Sequence, residues 1–330
     1  MLIRLDIDRL RANIKHFSKG YSLRCLVVKA NAYGHGYQIA KYVEDEVDYF
    51  AVATSREGVV LRDIGVQRPI LVLSYQSRDC DMVVDRHLTP IVYSHSHLDG
   101  LPKGSPVHIK LDTGMHRYGL NTSELSRYVD ECIRRGLVVE GICSHIYSDS
   151  SAKWQSDLFF DACRGVQDRC GNVIKHIAST HSSWVGGDML RLGIGAYTQS
   201  PVMSVGMEIL NVVRVDKGHV AGYDGVFEAK RDSLIAIASG GYADGVRRIE
   251  IGRGWVSYKG RRLDIVGVCM DCILIDATDT DILVGEEVCY LGDVKIDEIA
   301  SRQGTIPYEI LTSFGARVTR RYYENNSRTI

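Results

Sequence analysis

The clearest structural signal in this chain is the segment Leu23-Arg-Cys-Leu-Val-Val-Lys-Ala-Asn-Ala-Tyr-Gly-His-Gly36. Residues 23–28 form a short apolar run of the kind that predicts a strand buried on both faces. Lys29 follows this run directly, and the glycines at 34 and 36 predict a loop before the next helix. The segment therefore predicts a strand that leads through a charged loop into a helix, which is the first half of a βα unit.

Seven further apolar runs follow before about residue 195, and the segments between them carry apolar residues at helical spacing. The eight predicted strands cover residues 23–28, 49–53, 70–73, 89–92, 107–111, 138–143, 173–177 and 189–194. Strands joined by helical crossovers pair in parallel, and eight is the number that closes a (β/α)8 barrel. We predict an α/β, TIM-like barrel over residues 8–205. An open doubly wound sheet is the alternative, because the number of strands does not prove closure.

The sequence pattern changes beyond about residue 205, where short strands are separated by Gly, Asp and Lys. The strands predicted here cover residues 208–215, 233–238, 255–258, 262–269, 273–276 and 287–291, and helices are predicted at 296–302 and 308–313. Few helical segments intervene, which predicts a mostly β domain over residues 206–330. The alternating residues 1–7 predict one more strand, which we expect to pair with this C-terminal domain.

The composition is typical of a soluble globular protein. A formal net charge of −1 over 330 residues gives no reason to expect a nucleic-acid partner or an anionic membrane surface. No apolar run approaches the roughly 18 residues of a membrane span, and the N-terminal residues lack the apolar core of a signal peptide. The nine cysteines show no disulfide spacing, which favours a reducing, cytoplasmic location. Cys269 and Cys272 lack the second Cys or His pair of a zinc site, so we predict no metal.

Residues that carry chemistry collect where the predicted barrel strands end, which is where parallel α/β barrels place their active sites. These residues are Lys29, Lys110, Asp112, Ser144, His145, Ser179, Thr180, Arg191 and the turn Gly193-Ile-Gly195. A lysine whose stem lies on an apolar strand is partly removed from water, which lowers its pKa and makes a neutral amine available for Schiff-base formation. A lysine that extends into solvent is the common alternative, but the residues after Lys29 are too particular for a generic βα loop.

These motifs resemble those of alanine racemases, which are fold-type III pyridoxal-phosphate enzymes. Residues 28–36 are similar to the family's cofactor-lysine motif, and further similar segments follow in family order at 109–119, 191–197, 240–245, 268–271 and 306–311. The family joins an N-terminal (β/α)8 barrel to a C-terminal β domain, in agreement with the periodicity. The resemblance implies a pyridoxal-phosphate-dependent racemase that interconverts L- and D-alanine and supplies a D-amino acid for peptidoglycan.

The resemblance also implies a cofactor site. Lys29 would bind pyridoxal 5'-phosphate covalently, Arg191 would face the pyridine nitrogen, and His145 would lie beside Arg191. A guanidinium at this nitrogen leaves it unprotonated, which weakens electron withdrawal and favours racemisation over side reactions. The residues implied for the cofactor phosphate are Tyr33, Thr180, Gly193, Ile194 and Tyr197.

Tyr242, in the motif Gly240-Gly-Tyr-Ala-Asp-Gly245, matches the family's second base. Racemisation removes a proton from one face of the α-carbon and returns one to the other, so two bases on opposite faces meet the need. We expect Arg191 and His145 to be cationic and to favour the tyrosinate. In the family this tyrosine enters the partner subunit's site, which implies a homodimer with shared active sites. An incidental tyrosine in a glycine-rich turn is the alternative.

Further residues match the family's substrate-binding positions: Arg117, Met270, Asp271 and Ala316. Lys110 matches a lysine that is carbamylated in many members. Four positions depart from the common pattern: Ser179, His116, Gly267 and Ala316. Many alanine racemases have a tyrosine at the position of Ala316, where it borders the substrate side chain. The smaller residue predicts a larger pocket and activity on serine as well as alanine.

Three alternative functions stay open. The segments Gly114-Met-His-Arg117 and Phe50-Ala-Val-Ala-Thr54 also resemble the catalytic domain of the membrane serine/alanine racemases of vancomycin-resistance clusters, so the chain could be an excised domain of such a protein. A fold-type III decarboxylase would require an acidic partner for the pyridine nitrogen, where this sequence has Arg191. A non-catalytic pyridoxal-phosphate-binding protein of the single-barrel class would lack the β domain with its tyrosine.

Overall fold

The structure, a computed structural model, describes residues 1–324 and 328–329. The chain divides into two compact units. The barrel unit contains residues Arg9–Ala32 and Tyr37–Ser200, and the β unit contains Met1–Asp8, Tyr33–Gly36 and the chain from Pro201 onward. Residues 29–36, which follow the first barrel strand, are thus divided between the two units: 29–32 belong to the barrel unit and 33–36 to the β unit.

The barrel unit contains eight strands, numbered one to eight in chain order: Leu23–Val27, Tyr49–Val52, Ile70–Val72, Thr89–Val92, Pro106–Asp112, Val138–Cys143, Ile174–His176 and Met189–Leu192. Neighbouring strands are parallel, and strand eight returns to strand one with Met189 opposite Leu23. A bridge between Ser179 and Arg191 joins the end of strand seven to strand eight. The predicted (β/α)8 barrel is confirmed, and the open doubly wound alternative is wrong.

The barrel strands are short apolar runs because both of their faces are buried. Their central residues are almost inaccessible to water: Leu26, Phe50, Leu71, Ile91, Ile109, Ile142 and Leu190 are each at most 1% exposed. The helices of the barrel sequence are Ile7–Phe17, Ile39–Tyr42, Ser55–Asp63, Cys80–Asp85, Leu125–Arg134, Ala152–Arg164, Gln167–Cys170 and Gly195–Thr198. Short 3-10 turns and a two-residue strand, Leu120–Asn121, complete the connections.

The β unit is built on a nine-stranded sheet. Its strands are Leu2–Asp6, Met203–Val215, Ser233–Ser239, Trp255–Tyr258, Arg261–Val268, Cys272–Asp276, Glu287–Leu291, Thr319–Glu324 and Arg328–Thr329. The long strand Met203–Val215 pairs with three others. Its first residues pair with Leu2–Asp6 and Glu287–Leu291, and its residues from Ile209 onward pair with Ser233–Ser239, with a register shift after Ile209. A small hairpin, Val220–Ala221 with Phe227–Glu228, and the helices Ile296–Arg302 and Pro307–Ser313 complete the unit.

Two details of the β unit differ from the sequence-based expectation. The first strand after the barrel begins at Met203 rather than at 208, because residues 203–206 pair with Leu2–Leu5 before the strand turns to its other neighbours. The N-terminal strand also pairs in parallel with Thr319–Glu324, a strand that the sequence analysis did not predict. Among residues 1–324 and 328–329, no helix is long and apolar enough to cross a membrane.

Candidate active site

Lys29 begins a turn of left-handed backbone at the end of strand one. Four consecutive residues, Ala30, Asn31, Ala32 and Tyr33, have φ between 52° and 55°. This conformation costs L-residues about 1–2 kcal/mol each, and such segments persist only where surrounding contacts hold them. The sequence predicted a loop after Lys29 but not its handedness, because three of the four residues are not of the types that favour positive φ.

Glu57 holds this turn. Its two carboxylate oxygens accept hydrogen bonds from the backbone N–H groups of Ala30 and Ala53, both at 2.7 Å. Glu57 also forms a capping box with Thr54 at the start of the helix Ser55–Asp63. The sequence analysis missed this residue, although the Thr-x-x-Glu spacing after strand two was a usable signal. Asn31 adds a second restraint, because its side-chain oxygen accepts from the N–H of Tyr37 at 3.0 Å.

Lys29 is a poor base for its residue type. Burial lowers the pKa of its ammonium, and the positive charges of Arg117 and Arg191 lower it further, against an opposing effect of Glu57. A lysine with a lowered pKa presents a larger fraction of neutral, nucleophilic amine near neutral pH. The sequence-based prediction that the pKa of Lys29 is lowered therefore agrees with the surroundings of this residue in the barrel unit.

Arg191 lies in strand eight and is buried inside the barrel. Its guanidinium donates to the carbonyls of Ser144 at 2.6 Å, His176 at 2.6 Å and Ile177 at 3.2 Å, and to Nδ1 of His176 at 2.8 Å. The predicted neighbour, His145, is farther away, with its Nδ1 3.5 Å from Nη2. The principal side-chain partner of Arg191 is therefore His176, which the sequence analysis did not single out.

His145 is neutral rather than cationic. Burial lowers its pKa to about 3, with further lowering by the charges of Arg191, Lys110, Arg117 and Lys29. The expectation that His145 would be a positively charged group is therefore wrong. Its position among four cations makes protonation unfavourable, and sequence alone did not show how closely those cations gather.

The loop that presents Arg117 is held by the last residue of strand five. One oxygen of Asp112 accepts from the N–H groups of Gly114 at 2.9 Å and His116 at 3.1 Å. The other oxygen lies 3.2 Å from Nδ1 of His116. His116 has φ +53°, which explains why a glycine suits this position. The departure from glycine is thus compensated by a local pair with Asp112.

Lys110 lies partly buried in strand five, and removal of its ammonium from water lowers its pKa to about 8. It lines a small pocket together with Asp112, Met115, Arg117 and His145. The pocket brings together two residues that the sequence assigned separately, Lys110 as a carbamylation candidate and Arg117 as a substrate-binding group.

The predicted phosphate-binding residues of the barrel unit lie at the end of strand seven and after strand eight. Thr180 is 6% exposed and packs so closely on Gly195 that a Cβ there would lie 2.8 Å from it. The carbonyls of Gly193 and Ile194 accept bonds within the turn that starts the helix Gly195–Thr198, and the N–H groups at a helix start have no intrahelical acceptor. The buried Tyr197 hydroxyl donates to the carbonyl of Val27 at 2.9 Å, and the role of Tyr197 toward the phosphate stays a prediction.

In the β unit, Tyr242 lies on a turn with 45% of its surface exposed. Its N–H donates to the carbonyl of Cys269 at 2.9 Å, and that of Ala243 donates to Met270 at 3.0 Å. The predicted residues Met270 and Asp271 therefore adjoin the turn of Tyr242. A Cβ at position 241 would lie 2.3 Å from the Cys269 carbonyl, so only glycine fits there.

Asp244 fixes the shape of the Tyr242 turn. It accepts from the N–H of Gly241 at 2.9 Å and from Arg317 through two hydrogen bonds of 2.6 and 2.8 Å. A bidentate arginine pair also fixes geometry. Ala316 precedes Arg317, and a Cβ at its other neighbour, Gly315, would lie 3.5 Å from the carbonyl of Ala243. Both neighbours of Ala316 thus approach this turn, although Ala316 was predicted from family position alone.

Tyr33, also predicted as a phosphate ligand, lies in the β unit at the end of the left-handed turn. It is 5% exposed, and its ring centroid lies 6.0 Å from that of Tyr308. The adjacent Gly34 lies so close to the Leu311 carbonyl that a Cβ would approach it within 1.9 Å. Close backbone packing, together with φ +79°, accounts for glycine at this position.

Sequence profiles of known families match almost the whole chain. Residues 5–201 match the N-terminal domain of alanine racemase, and residues 202–322 match its C-terminal domain. The chain belongs to the alanine racemase family. An "Alanine racemase 2" from Caldanaerobacter subterraneus subsp. tengcongensis is 34% identical, with 97% of this chain and 94% of the relative covered.

Solved alanine racemases also have this fold. The alanine racemase of Clostridium difficile 630 is 30% identical and superposes with a TM-score of 0.90, over 99% of this chain and 96% of that one. The alanine racemase of Bartonella henselae, solved with covalently bound pyridoxal phosphate, is 28% identical, with a TM-score of 0.85 over 98% of this chain and 99% of that one.

The residues of the barrel unit fit the cofactor that this family uses. Lys29, Arg117 and Arg191 lower the pKa of neighbouring groups by their positive charge, and the hydrogen-bond partners described for Arg191 are all neutral. Around Lys29 the positive charges of the two arginines outweigh the opposing carboxylate of Glu57, and an excess of positive charge suits a ligand that brings its own negative charge, such as a phosphate and a phenolate. The same cluster supplies the amine of reduced basicity that covalent attachment requires.

Proposed function

We propose that this chain is a pyridoxal-phosphate-dependent racemase that interconverts L- and D-alanine. The observation that carries the proposal is Lys29, a desolvated lysine at the end of strand one whose pKa is lowered by burial and by two arginines, in a member of the alanine racemase family. Pyridoxal phosphate, when bound, withdraws electrons from the α-carbon of the substrate and so acidifies its α-proton. The protein must then hold the substrate and move that proton between two faces.

In this proposal Lys29 and Tyr242 are the two proton-transfer groups, one for each face of the α-carbon. Lys29 is partly buried in the barrel unit, whereas Tyr242 is half exposed on its turn. We propose that the site of Lys29 is completed by Tyr242 of the partner subunit in a homodimer. Arg191 is a permanent donor toward the pyridine nitrogen, and Thr180, Tyr33 and the turn at Gly193 and Ile194 hold the phosphate.

Arg117 is the proposed partner of the substrate carboxylate, and Lys110 is the proposed means of holding Arg117. A partly buried lysine with a pKa of about 8 has a larger neutral fraction near neutral pH than an ordinary lysine, and a neutral amine adds CO2 to form a carbamate with loss of one proton. The new anion would face Arg117 in the pocket that they share. A mass increase of one CO2, seen by intact-protein mass spectrometry at neutral pH and absent in Lys110→Ala, is the expected result.

The experiment that tests the proposed function follows proton exchange at the α-carbon. L-Alanine is incubated with the purified, cofactor-loaded protein in deuterium oxide, and both enantiomers are examined by NMR and chiral chromatography. We expect D-alanine to form and deuterium to enter the α-position without release of CO2. Release of CO2 would indicate a decarboxylase, and no reaction with an intact cofactor absorbance would indicate a binding protein.

We further propose that the substrate range includes serine. Both neighbours of Ala316 approach the turn that carries Tyr242, and the alanine side chain leaves space where a tyrosine would fill it. We expect measurable serine turnover and a fall of about tenfold in the ratio of kcat/KM for serine to that for alanine in Ala316→Tyr. No serine turnover by the unmodified protein would contradict the proposal.

A cytoplasmic setting completes the proposal. All nine cysteines are free thiols in the structure, and Cys25, Cys132 and Cys163 are buried with raised pKa values of about 12. Buried protonated thiols are unreactive, and a set of nine without a disulfide is typical of a reducing compartment. The product D-amino acid would there be available for peptidoglycan synthesis.

A further inference from the structure

A chain of buried hydrogen bonds leads away from Arg191 through the interior of the barrel. Nη1 of Arg191 lies 2.8 Å from Nδ1 of His176. Nε2 of His176 lies 2.8 Å from Nδ1 of His108. Nε2 of His108 in turn faces Oε2 of Glu140 at 3.8 Å. Arg191, His176 and His108 are buried, while the Glu140 side chain is 38% exposed.

The direction of the hydrogen bonds in this chain is determined by its first member. A guanidinium only donates, so Nδ1 of His176 accepts and carries no proton. Burial and the charge of Arg191 hold the pKa of His176 well below its usual value, so the ring is neutral and its proton is on Nε2. His176 therefore donates to Nδ1 of His108, whose own proton must be on Nε2. Every N–H in the chain thus points away from Arg191 and toward Glu140.

At the far end of this hydrogen-bond chain, the N–H group of His108 needs an acceptor. Within residues 1–324, Nε2 of His108 is buried and has no partner at hydrogen-bond distance. A buried N–H without an acceptor costs about 1–3 kcal/mol, and the nearby carboxylate of Glu140 meets that need by a small shift or through one water. The space for the His108 ring is provided by Gly141, where a Cβ would lie 2.4 Å from Nδ1.

We propose that Glu140 is a positioning residue for Arg191 and acts on it through His108 and His176. Its carboxylate stabilises the Nε2-protonated form that the guanidinium selects in both imidazoles, which keeps an acceptor in front of Nη1 of Arg191. It also places a negative charge at the end of a polarised chain that starts on a buried cation. A carboxylate that fixes the tautomer of a histidine is a recurring arrangement in protein sites. The inference rests on the proposed role of Arg191 toward the cofactor.

The alternative tautomers show why the carboxylate matters. In Glu140→Gln the amide group can present either an oxygen or an N–H group to His108. If His108 carries its proton on Nδ1, it can no longer accept from His176, whose proton then moves to Nδ1. That proton would meet an N–H of Arg191, and two donors cannot bond to each other. The guanidinium would lose its principal side-chain partner, and its bonds to the backbone carbonyls would remain as its restraint.

The test compares the loaded enzyme with Glu140→Gln, Glu140→Asp and Asp157→Asn. Asp157 is a matched control, because it is an exposed carboxylate of the barrel unit that pairs only with Lys153 in the contacts described for it. Selective ¹⁵N labelling of histidine reports the tautomer of each ring by NMR, and the visible spectrum reports the environment of the bound cofactor. Steady-state kinetics with alanine give kcat and KM separately.

We expect His108 and His176 to carry protons on Nε2 in the unmodified enzyme and in Asp157→Asn. In Glu140→Gln we expect mixed tautomers, a shifted cofactor absorbance and a fall in kcat of roughly tenfold with little change in KM. Glu140→Asp retains the charge and should restore the tautomers and most of kcat. Unchanged tautomers in Glu140→Gln, or equal losses in the Gln and Asp variants, would overturn the proposal. Failure of the unmodified enzyme to racemise alanine would instead contradict the proposed function, because the tautomers are read independently.

Discussion

The turn of Lys29 and the turn of Tyr242 carry the two proposed bases, and they are built in opposite ways. The turn of Lys29 is strained, with four left-handed residues, and is held by the buried end of a strand and by Glu57. The turn of Tyr242 is a 3-10 turn held by an ion pair of Asp244 with Arg317, and its tyrosine is 45% exposed.

The contacts within one chain therefore affect the two bases to different degrees. The surroundings of Lys29 already alter its chemistry, since burial and two arginines lower its pKa. The turn of Tyr242 fixes the position of the backbone and leaves the side chain accessible. Tyr242 has a fixed backbone and an exposed side chain, so it is suited to enter the site of another subunit. This is why we propose a shared site.

The largest expected effect is at Lys29. Lys29→Ala removes the amine that binds the cofactor and one of the two bases, so we expect activity to fall by a factor of about 10³ or more. The visible absorbance of the bound cofactor, and its bleaching by borohydride, should disappear as well. Retention of a borohydride-sensitive absorbance in the variant would show that another lysine carries the cofactor.

The next effect tests the restraint on the left-handed turn. In Glu57→Gln one oxygen becomes an NH2 group that faces the N–H of Ala30 or Ala53, so one of the two bonds is replaced by repulsion. Displacement of Lys29 should reduce kcat by roughly 10- to 100-fold.

Glu124→Gln is the matched control for this prediction. Glu124 also closes a capping box, with Asn121, at the start of the 3-10 turn Thr122–Glu124 that leads into the helix Leu125–Arg134, but no contact with the Lys29 turn is described for it. Similar losses of kcat in the two variants would indicate that capping, rather than the contact with Ala30, is what matters.

A smaller effect on kcat is expected from a change in the turn of Tyr242. Asp244→Asn weakens the pair with Arg317 and places an NH2 group toward a donor, which loosens the Tyr242 turn. We expect kcat to fall by about tenfold while the cofactor absorbance is unchanged. Asp232→Asn is the control, because Asp232 likewise accepts from a backbone N–H and from Arg214. A changed cofactor spectrum in Asp244→Asn alone would mean that the two turns are not independent.

The pH dependence of stability provides a second measurement on Asp244. Burial raises the pKa of its carboxyl, but the bonds from Arg317 and the Gly241 N–H outweigh burial and lower the pKa below its ordinary value. The resulting stabilisation is present above the unfolded-state pKa of about 4 and is lost as pH falls through the lower folded-state pKa. The difference in Tm between the unmodified protein and Asp244→Asn should therefore shrink in acid.

The smallest effect is expected at His116, which has φ +53° and a side chain 85% exposed. Glycine relieves the strain but removes the pair with Asp112 and adds backbone freedom to the unfolded chain. We expect the free energy of unfolding to change by less than about 1 kcal/mol and kcat by less than about twofold. A larger loss of kcat, followed in parallel with Tm, would show that His116 helps to orient Arg117.

The sequence predicted the barrel because its signal is repeated. Eight apolar runs with helical segments between them specify parallel strands whatever the surface carries, and each predicted strand overlaps an observed one. The strand Thr319–Glu324 was missed because its charged residues conceal a pairing with Leu2–Asp6, which lies more than 300 residues away in the sequence. Pairings of that range depend on the assembled fold rather than on local pattern.

The site was predicted where a motif accompanies the residue. Lys29 was identified from its place after an apolar strand and from the motif that follows it, and Arg191 was assigned its role by the resemblance to alanine racemases. Glu57, His108 and His176 were missed because their importance lies in contacts across strands, which single-residue patterns do not contain. The neutral state of His145 was missed for the same reason, since it results from the number of cations around it.

We propose that Lys29 of one subunit works with Tyr242 of the other, and the activity of mixed dimers reports on this pairing. Lys29→Ala and Tyr242→Phe, each inactive alone, are produced together in one cell or unfolded and refolded as a mixture. In a twofold dimer with shared sites, half of the dimers are hybrid and each hybrid has one intact site, so about a quarter of the unmodified activity should return. A mixture that stays as inactive as its parents, although hybrid dimers are shown to form, would contradict the claim.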